Sequence, residues 1–430
     1  MTRLKFVHAA DLHLDSPFRG IGSEAPGYVA DALRRATFDA YDNIISLCVG
    51  ERVDALLVAG DIYDGADRSL RAQLKFVDGL NRLDAAGIRS FVCHGNHDPL
   101  DGWEARLALP PGCVRFGPEV TGEPVFPGEP ERAAVYGVSY PRREVRDNLS
   151  PLFAEAAVAS RFSVGLLHAN VGGNPDHDSY APCSVADLSD AGLDYWALGH
   201  VHSRQVLRQD RPTVVYPGNS QGRHPGESGP RGVYLVEVDD YGAVSLDFRP
   251  VDLVRWETLP VSIAGLDTEQ KLLDAMDYAA DACAEAAGGR AVVFRLALTG
   301  RGPLHRWLRR AGTVDELRER FNEQYAPSTS SGQSWLWCER IQADTASLVD
   351  REQVAQREDF AGDLARLGSE LGGDPGTLAE LRESLRTLYV NSNAASYLRG
   401  YLPSDEELRE LVAAAEEECL AALVDEEDEG

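Results

Sequence analysis

Five short polar strings, each directly after an apolar run, constrain this 430-residue chain more than any other feature of it. They are Asp11-x-His13, Gly60-Asp61-x-x-Asp64, Gly95-Asn96-His97-Asp98, His168 and Gly199-His200-Val201-His202. The runs ahead of them, residues 4–7, 55–59, 91–93, 162–167 and 195–198, are short and apolar enough to be strands buried on both faces. Each string then falls at the C-terminal end of a strand, the rim of an open α/β sheet where loops converge and ligands bind. Between the first two runs, Phe38, Tyr41, Ile45 and Cys48 recur at spacings of three and four, as a helix packed on a sheet requires. The order strand, helix, strand sets the class as α/β.

The donor chemistry of the strings points to metal. Asp11 and Asp61 offer hard oxygens, Asn96 a neutral carbonyl, and His13, His168, His200 and His202 imidazoles. Manganese, iron or zinc suits that mixture, whereas magnesium and calcium prefer oxygen throughout. No cysteine accompanies these ligands, which argues against a structural thiolate zinc site. Two divalent ions would leave a positive field uncancelled by two aspartates, and that field draws phosphate in.

The strings resemble those of the calcineurin-like metallophosphoesterases. The finer likeness is to their DNA-repair exonuclease branch, the SbcD-type nuclease subunits and the YhaO-like proteins. It is carried by residues 6–15 (FVHAADLHLD), 60–64 (GDIYD), 168–173 (HANVGG) running into 177–184 (HDSYAPCS), and 216–223 (YPGNSQGR). The likeness is close over about the first 250 residues and loose beyond. It implies two β-sheets stacked as a sandwich and flanked by helices, then a small α+β capping domain and a helical C-terminal segment. It also implies two divalent ions, most readily manganese, one held by Asp11, His13, Asp61 and His202 and the other by Asp61, Asn96, His168 and His200. Asp61 would bridge them. By the same likeness His97 is a catalytic group and not a ligand, with Asp98 orienting its ring and Asp64 fixing a ligand's tautomer from behind.

Other histidines read differently. His8 and His94 are read as lying inside strands just before a string and are expected to be packed and hydrogen-bonded, and His305 to lie on the surface. His177 and His224 fall in Gly- and Pro-rich loops near the strings, and with Tyr180, Gln221 and Arg223 are candidates to touch substrate.

Composition bounds the rest. At 43% hydrophobic, the chain suffices for two or three domains. The expected division is residues 1–250 for the metallophosphoesterase domain, closed by a hairpin of 232–238 and 243–248, then 256–345 for the cap and 346–430 for the helical segment. No run reaches the about 18 apolar residues of a membrane span, and no secretory leader is legible. Seven scattered cysteines without a C-x-x-C pair suit free thiols. The expected location is the cytoplasm, without membrane contact.

A net charge of -27 sits poorly with a nuclease, because nucleic-acid affinity rests on neutralising phosphates. Residues 251–430 hold 35 acids and 18 bases, and residues 401–430 alone 12 acids and one base, so much of the acidity is in a tail, with 425–429 expected to be disordered. The most basic stretch, Arg301, His305, Arg306, Trp307, Arg309 and Arg310, is either a DNA contact or an amphipathic helix with Leu304, Trp307 and Leu308 buried and the arginines solvated. The expected function is a manganese-dependent phosphodiesterase acting on DNA, a 3′-to-5′ exonuclease whose C-terminal helices dock on an SbcC-like coiled-coil ATPase. A homodimer is a further partner. The alternatives are a phosphatase or cyclic-nucleotide phosphodiesterase, and a scaffold with a vestigial metal site.

Overall fold

The computed structural model describes residues 4–18, 25–65, 69–102, 105, 107–156, 160–173, 178–326, 334–391 and 403–429. In chain order its strands are β1 (Leu4–Ala9), β2 (Ala55–Ala59), β3 (Arg89–Cys93), β4 (Cys113–Arg115), β5 (Thr121–Pro124), β6 (Ala134–Gly137), β7 (Ser163–His168), β8 (Tyr195–Gly199), β9 (Gln205–Arg208), β10 (Thr213–Tyr216), β11 (Gly232–Val238), β12 (Val244–Pro250), β13 (Val254–Ser262), β14 (Ala291–Arg301) and β15 (Leu336–Ala346). They form two six-stranded sheets, ordered β12-β11-β1-β2-β3-β4 and β5-β6-β7-β8-β10-β9, and a three-stranded sheet β13-β14-β15. Both large sheets are mixed. In the first, β1 to β4 run parallel and β11 lies antiparallel between β1 and β12; in the second, β6, β7, β8 and β10 run parallel between antiparallel β5 and β9.

The strands alternate between two cores. Phe6, Leu57 and Phe91 of the first sheet meet Val164, Leu166, Tyr195 and Val215 of the second. Val7, Leu56, Val58 and Val92 point the other way, onto Phe38, Tyr41, Ile45, Phe76 and Leu80 of helices Gly27–Glu51 and Leu70–Ala85. A strand covered on both faces has no polar side to show, which is why the runs read as continuously apolar. Each such side chain contributes about 1.5–3 kcal/mol on burial. Leu167, Leu198 and Val214 similarly bury the second sheet's outer face against Phe153 and Leu188. His8, as expected, is packed and bonded: its Nδ1 meets the Tyr195 hydroxyl at 3.0 Å and its Nε2 the Leu198 carbonyl at 3.2 Å, tying β1 to β8. Burial pushes this ring down to about 3, so it is neutral at physiological pH.

The chain divides into two compact units, 1–258 with 282–295 and 322–339, and 259–281 with 296–321 and 340–430. In the first, Trp256, Ala291, Val293, Trp335 and Trp337 form a core with Val29, Leu33 and Ala36. In the second, helices Arg351–Ala355, Phe360–Gly373 and Asp405–Glu429 share a core of Val354, Ala361, Ala365 and Leu420. Asp374 separates helix Phe360–Gly373 from helix Pro375–Asn391, within the string Gly372-Gly373-Asp374-Pro375-Gly376, whose glycines and proline interrupt a helical pattern.

Three expectations are corrected here. The backbone of residues 425–429 continues the helix Asp405–Glu429, whose Ala, Glu and Leu are strong helix formers. His305 is buried, with Nδ1 at 2.9 Å from the Thr345 hydroxyl. In the basic stretch Leu304 and Leu308 are buried as the amphipathic alternative requires, but Trp307 is only half-buried and Arg301 is not free in solvent, carrying Glu417 and Glu418 of the last helix at 3.0 and 2.9 Å. No helix among the described residues is long and apolar enough to cross a membrane.

Candidate metal centre

Strand register brings the five strings to one rim. Ala9 pairs with Val58, Ala59 with Cys93, and His168 with Gly199, so β1, β2, β3, β7 and β8 release their loops together. The loops then bond to one another. Asp11 N donates to the Gly60 carbonyl and His13 N to the Asp61 carbonyl, each at 3.1 Å. The Asp11 carboxylate accepts from His200 N at 3.1 Å, and Asp61 Oδ1 from His97 N at 2.9 Å. Asp11, His13, Asp61 and His200 have φ of 51°, 42°, 51° and 101°. Such left-handed conformations cost a non-glycine residue of order 1–3 kcal/mol each and persist where function needs the side chain aimed.

The glycines of the strings supply clearance. A Cβ on Gly95 would lie 2.4 Å from Asp61 Oδ1 and 2.7 Å from His168 Nε2, and one on Gly199 would lie 1.8 Å from the Ala59 carbonyl oxygen. No side chain fits at either place without displacing backbone or the polar cluster.

The hydrogen bonds of four imidazoles fix which nitrogen faces the centre. His168 Nδ1 lies 2.9 Å from the Ala59 carbonyl, so it carries the proton, and its Nε2 faces Asn96 Oδ1 at 2.9 Å and Asp61 Oδ2 at 3.4 Å. His200 Nε2 donates to the Asp178 carbonyl at 2.8 Å, leaving Nδ1 toward Asn96 Oδ1 at 3.2 Å. His13 Nδ1 donates to Asp64 Oδ1 at 2.9 Å and His202 Nδ1 to Glu227 Oε1 at 2.7 Å, which turns their Nε2 atoms on each other at 3.2 Å. Four lone pairs thus converge on acceptor oxygens and on one another, an arrangement that repels itself unless positive charge sits between. The donor set of imidazole nitrogens, carboxylates and one amide oxygen fits divalent cations, and the groups Asp11, His13, His202 and Asp11, Asp61, His168 are each close enough to hold one.

The titration behaviour agrees. Burial would lower His168, but Asp61 and Asp11 outweigh it and push the ring up to about 9, so without a metal a proton takes the cation's place. Burial alone would raise Asp61, yet His168, His97 and His13 hold it well below the usual carboxylate range. Asp11 goes the other way, raised by burial against the pull of His202 and His168.

His97 stands at the edge of the cluster with its side chain 38% exposed. Its Nδ1 lies 2.9 Å from Asp64 Oδ1, the oxygen that also receives His13 Nδ1. Burial pulls the His97 ring down, but the bond to Asp64 and the charges of Asp61 and Asp64 raise it above the ordinary histidine value. The expectation that Asp98 orients His97 is therefore corrected. Asp98 is fully buried, accepts from Gly95 N at 2.7 Å and Ile62 N at 2.8 Å, and lies 3.2 Å from His94 Nδ1, so it clamps the loops that carry Asn96 and Asp61.

Among the candidates to touch substrate, Tyr180 is half-buried with its ring 5.8 Å from that of His200. Gln221 is corrected: it is buried, its amide nitrogen donates to the carbonyls of Gly222 and Val254, and its oxygen accepts from Leu253 N, which leaves it nothing to offer a ligand. Arg223 places its guanidinium 3.2 Å from Asp64 Oδ2. His224 is 44% exposed and lies 3.4 Å from Glu227. His177 falls outside the described residues. Sequence reasoning missed Glu227, a buried acid in a Gly- and Pro-rich loop, and Ser16, which donates to Asp64 Oδ2. Only the cost of burying an unpaired charge could have flagged Glu227, and burial is not legible in a loop without periodicity.

Residues 4–204 match the family model described as calcineurin-like phosphoesterase, and residues 256–346 that of the middle domain of metallophosphoesterase YhaO. The uncharacterized metallophosphoesterase YhaO of Bacillus subtilis (strain 168) is 39% identical over 350 residues, 80% of this chain and 83% of that protein. The chain belongs to the calcineurin-like metallophosphoesterase family. This metallophosphoesterase also matches, at 26% identity, the SbcD component of the nuclease SbcCD from Bacillus subtilis, over 60% of this chain and 70% of that one. The DNA double-strand break repair protein Mre11 of Sulfurisphaera tokodaii is 24% identical, over 50% of this chain and 53% of its own length. The chain spans about half the length of that Mre11.

Proposed function

We propose that this metallophosphoesterase is a two-metal phosphodiesterase acting on DNA ends, a 3′-to-5′ exonuclease that works in repair with an SbcC-like ATPase. The observation that carries the reading is the convergence of four imidazole lone pairs and two buried aspartates. In this reading Asp11, His13, Asp61 and His202 hold one ion and Asp61, Asn96, His168 and His200 the other. The mixed nitrogen and oxygen donors favour manganese, with iron or zinc as the other candidates. Bound there, the ions supply Lewis-acid polarisation of a phosphoryl oxygen and an acidified water.

The protein's own groups do the rest. Asp64 holds the Nδ1 proton of His97, so the protonated ring presents Nε2–H outward, where it donates to the oxygen leaving phosphorus. Asp98 keeps the Asn96 and Asp61 loops in register, and Tyr180 and Arg223 border the place where a nucleotide enters. DNA is favoured over a small ester because the named relatives are a nuclease component and a break-repair protein. A manganese-loaded preparation is expected to degrade end-labelled DNA from the 3′ end, with the activity lost in His97→Ala. Hydrolysis confined to bis-p-nitrophenyl phosphate or a cyclic nucleotide would replace this reading by a phosphatase or cyclic-nucleotide phosphodiesterase, and inertness on all three by a scaffold.

The C-terminal helices are the proposed docking site for the ATPase. Phe360 is 71% exposed, and Leu367 and Leu411 stand about half out of the surface. Phe360→Asp with Leu367→Asp is expected to abolish co-purification with an SbcC-like coiled-coil ATPase while leaving bis-p-nitrophenyl phosphate hydrolysis unchanged. Undiminished co-purification would reject the docking site.

A further inference from the structure

The four imidazoles are braced in two different ways. The outer nitrogens of His168 and His200 donate to the main-chain carbonyls of Ala59 and Asp178, so on that side each ring is held by backbone. His13 and His202 donate to the carboxylates of Asp64 and Glu227, groups that are themselves free to rotate unless something holds them. Arg223 reaches both. Its main-chain N donates to Glu227 Oε2 at 2.7 Å, its Nη1 lies 3.2 Å from Asp64 Oδ2, and its Nη2 lies 3.9 Å from Glu227 Oε1. The surrounding loop closes around His202 as well: Asn219 N and Arg231 Nη1 both donate to the His202 carbonyl, at 3.2 and 2.6 Å.

We propose that Glu227 and Arg223 are positioning residues for the His13 and His202 half of the centre, fixing the proton on the outer nitrogen of each ring so that both Nε2 lone pairs face the cation. The proposal rests on the two-ion reading above. Glu227 has a carboxylate oxygen for each of two donors, the His202 Nδ1–H and the Arg223 N–H. An amide has one acceptor oxygen and one NH2, so Glu227→Gln must set a donor against a donor on one side. Either His202 loses its fixed tautomer or the loop loses its tie. Partners that orient a metal-binding histidine typically change affinity by about 10- to 100-fold. The His168 and His200 half, braced by backbone, has no such dependence.

The test is manganese titration of the full chain by calorimetry, together with histidine 15N spectra of the metal-free protein. Glu227→Gln is expected to weaken one of the two ions by about 10- to 100-fold, leave the other as in wild type, and shift the His202 ring nitrogens from a single tautomer toward a mixture at an unchanged Tm. Arg223→Gln weakens the same ion and carries the test if Glu227→Gln does not fold. Two ions bound by a variant with wild-type affinities, beside an unmoved His202 spectrum, overturn the assignment. A wild type that takes up no ion overturns the reading of the centre itself, so the two failures are told apart.

Discussion

Asp61→Asn is expected to lower phosphodiesterase activity at least about a thousandfold, roughly 4 kcal/mol of transition-state stabilisation at 1.36 kcal/mol per tenfold. The substitution keeps the shape and removes one charge at the residue that, in the proposed two-ion reading, both ions would share. Asp61 Oδ2 lies 3.4 Å from His168 Nε2 and 3.9 Å from His13 Nε2, between the two groups of donors, and its side chain is buried. Asp61 Oδ1 also receives His97 N, so a neutral amide there risks setting NH2 against an N–H donor and shifting the loop that carries Asn96. The measurement is turnover of bis-p-nitrophenyl phosphate at saturating manganese. Activity within tenfold of wild type would remove Asp61 from its central place.

His97→Ala is expected to cost a factor of about a hundred to ten thousand in kcat, the usual contribution of a positioned proton donor, with metal content unchanged. The pH dependence gives the same claim a second readout. His97 is raised because Asp64 and Asp61 favour its charged form, so the donor stays protonated above the ordinary histidine range. The kcat profile therefore falls as pH rises through that raised value. Asp64→Asn removes the favouring charge, lowers the His97 pKa, and moves the fall to lower pH. A profile unmoved by Asp64→Asn, or an unaltered kcat in His97→Ala, would assign the proton to another donor.

Much of this architecture was legible because burial on both faces leaves a distinct mark. Residues 55–59 read as a strand since Leu56 and Val58 meet helices while Leu57 meets the other sheet. Arg89 and Ser90 hid the start of β3 behind polar side chains, although Ser90 is buried. The edge strand β5, Thr121–Pro124, is half-exposed and carries no alternation at all. At the site, ligand types could be read from chemistry, but who braces whom could not. Asp98 follows His97 in the chain and reads as its partner, yet adjacent side chains diverge, and Asp98 turns inward to Gly95 N and Ile62 N. Asp64, 33 positions before His97, comes to it only through the fold, because β2 and β3 are neighbours in one sheet. Glu227 reaches His202 from 25 residues away for a similar reason.

In the proposed reading, a pocket of inward lone pairs is built to hold two cations. Equilibrium dialysis of metal-stripped wild type against manganese, followed by counting ions per chain, tests it most directly. Two ions per chain are predicted, falling below two in Asp61→Ala. Fewer than two in wild type, or a count that Asp61→Ala leaves untouched, would contradict it.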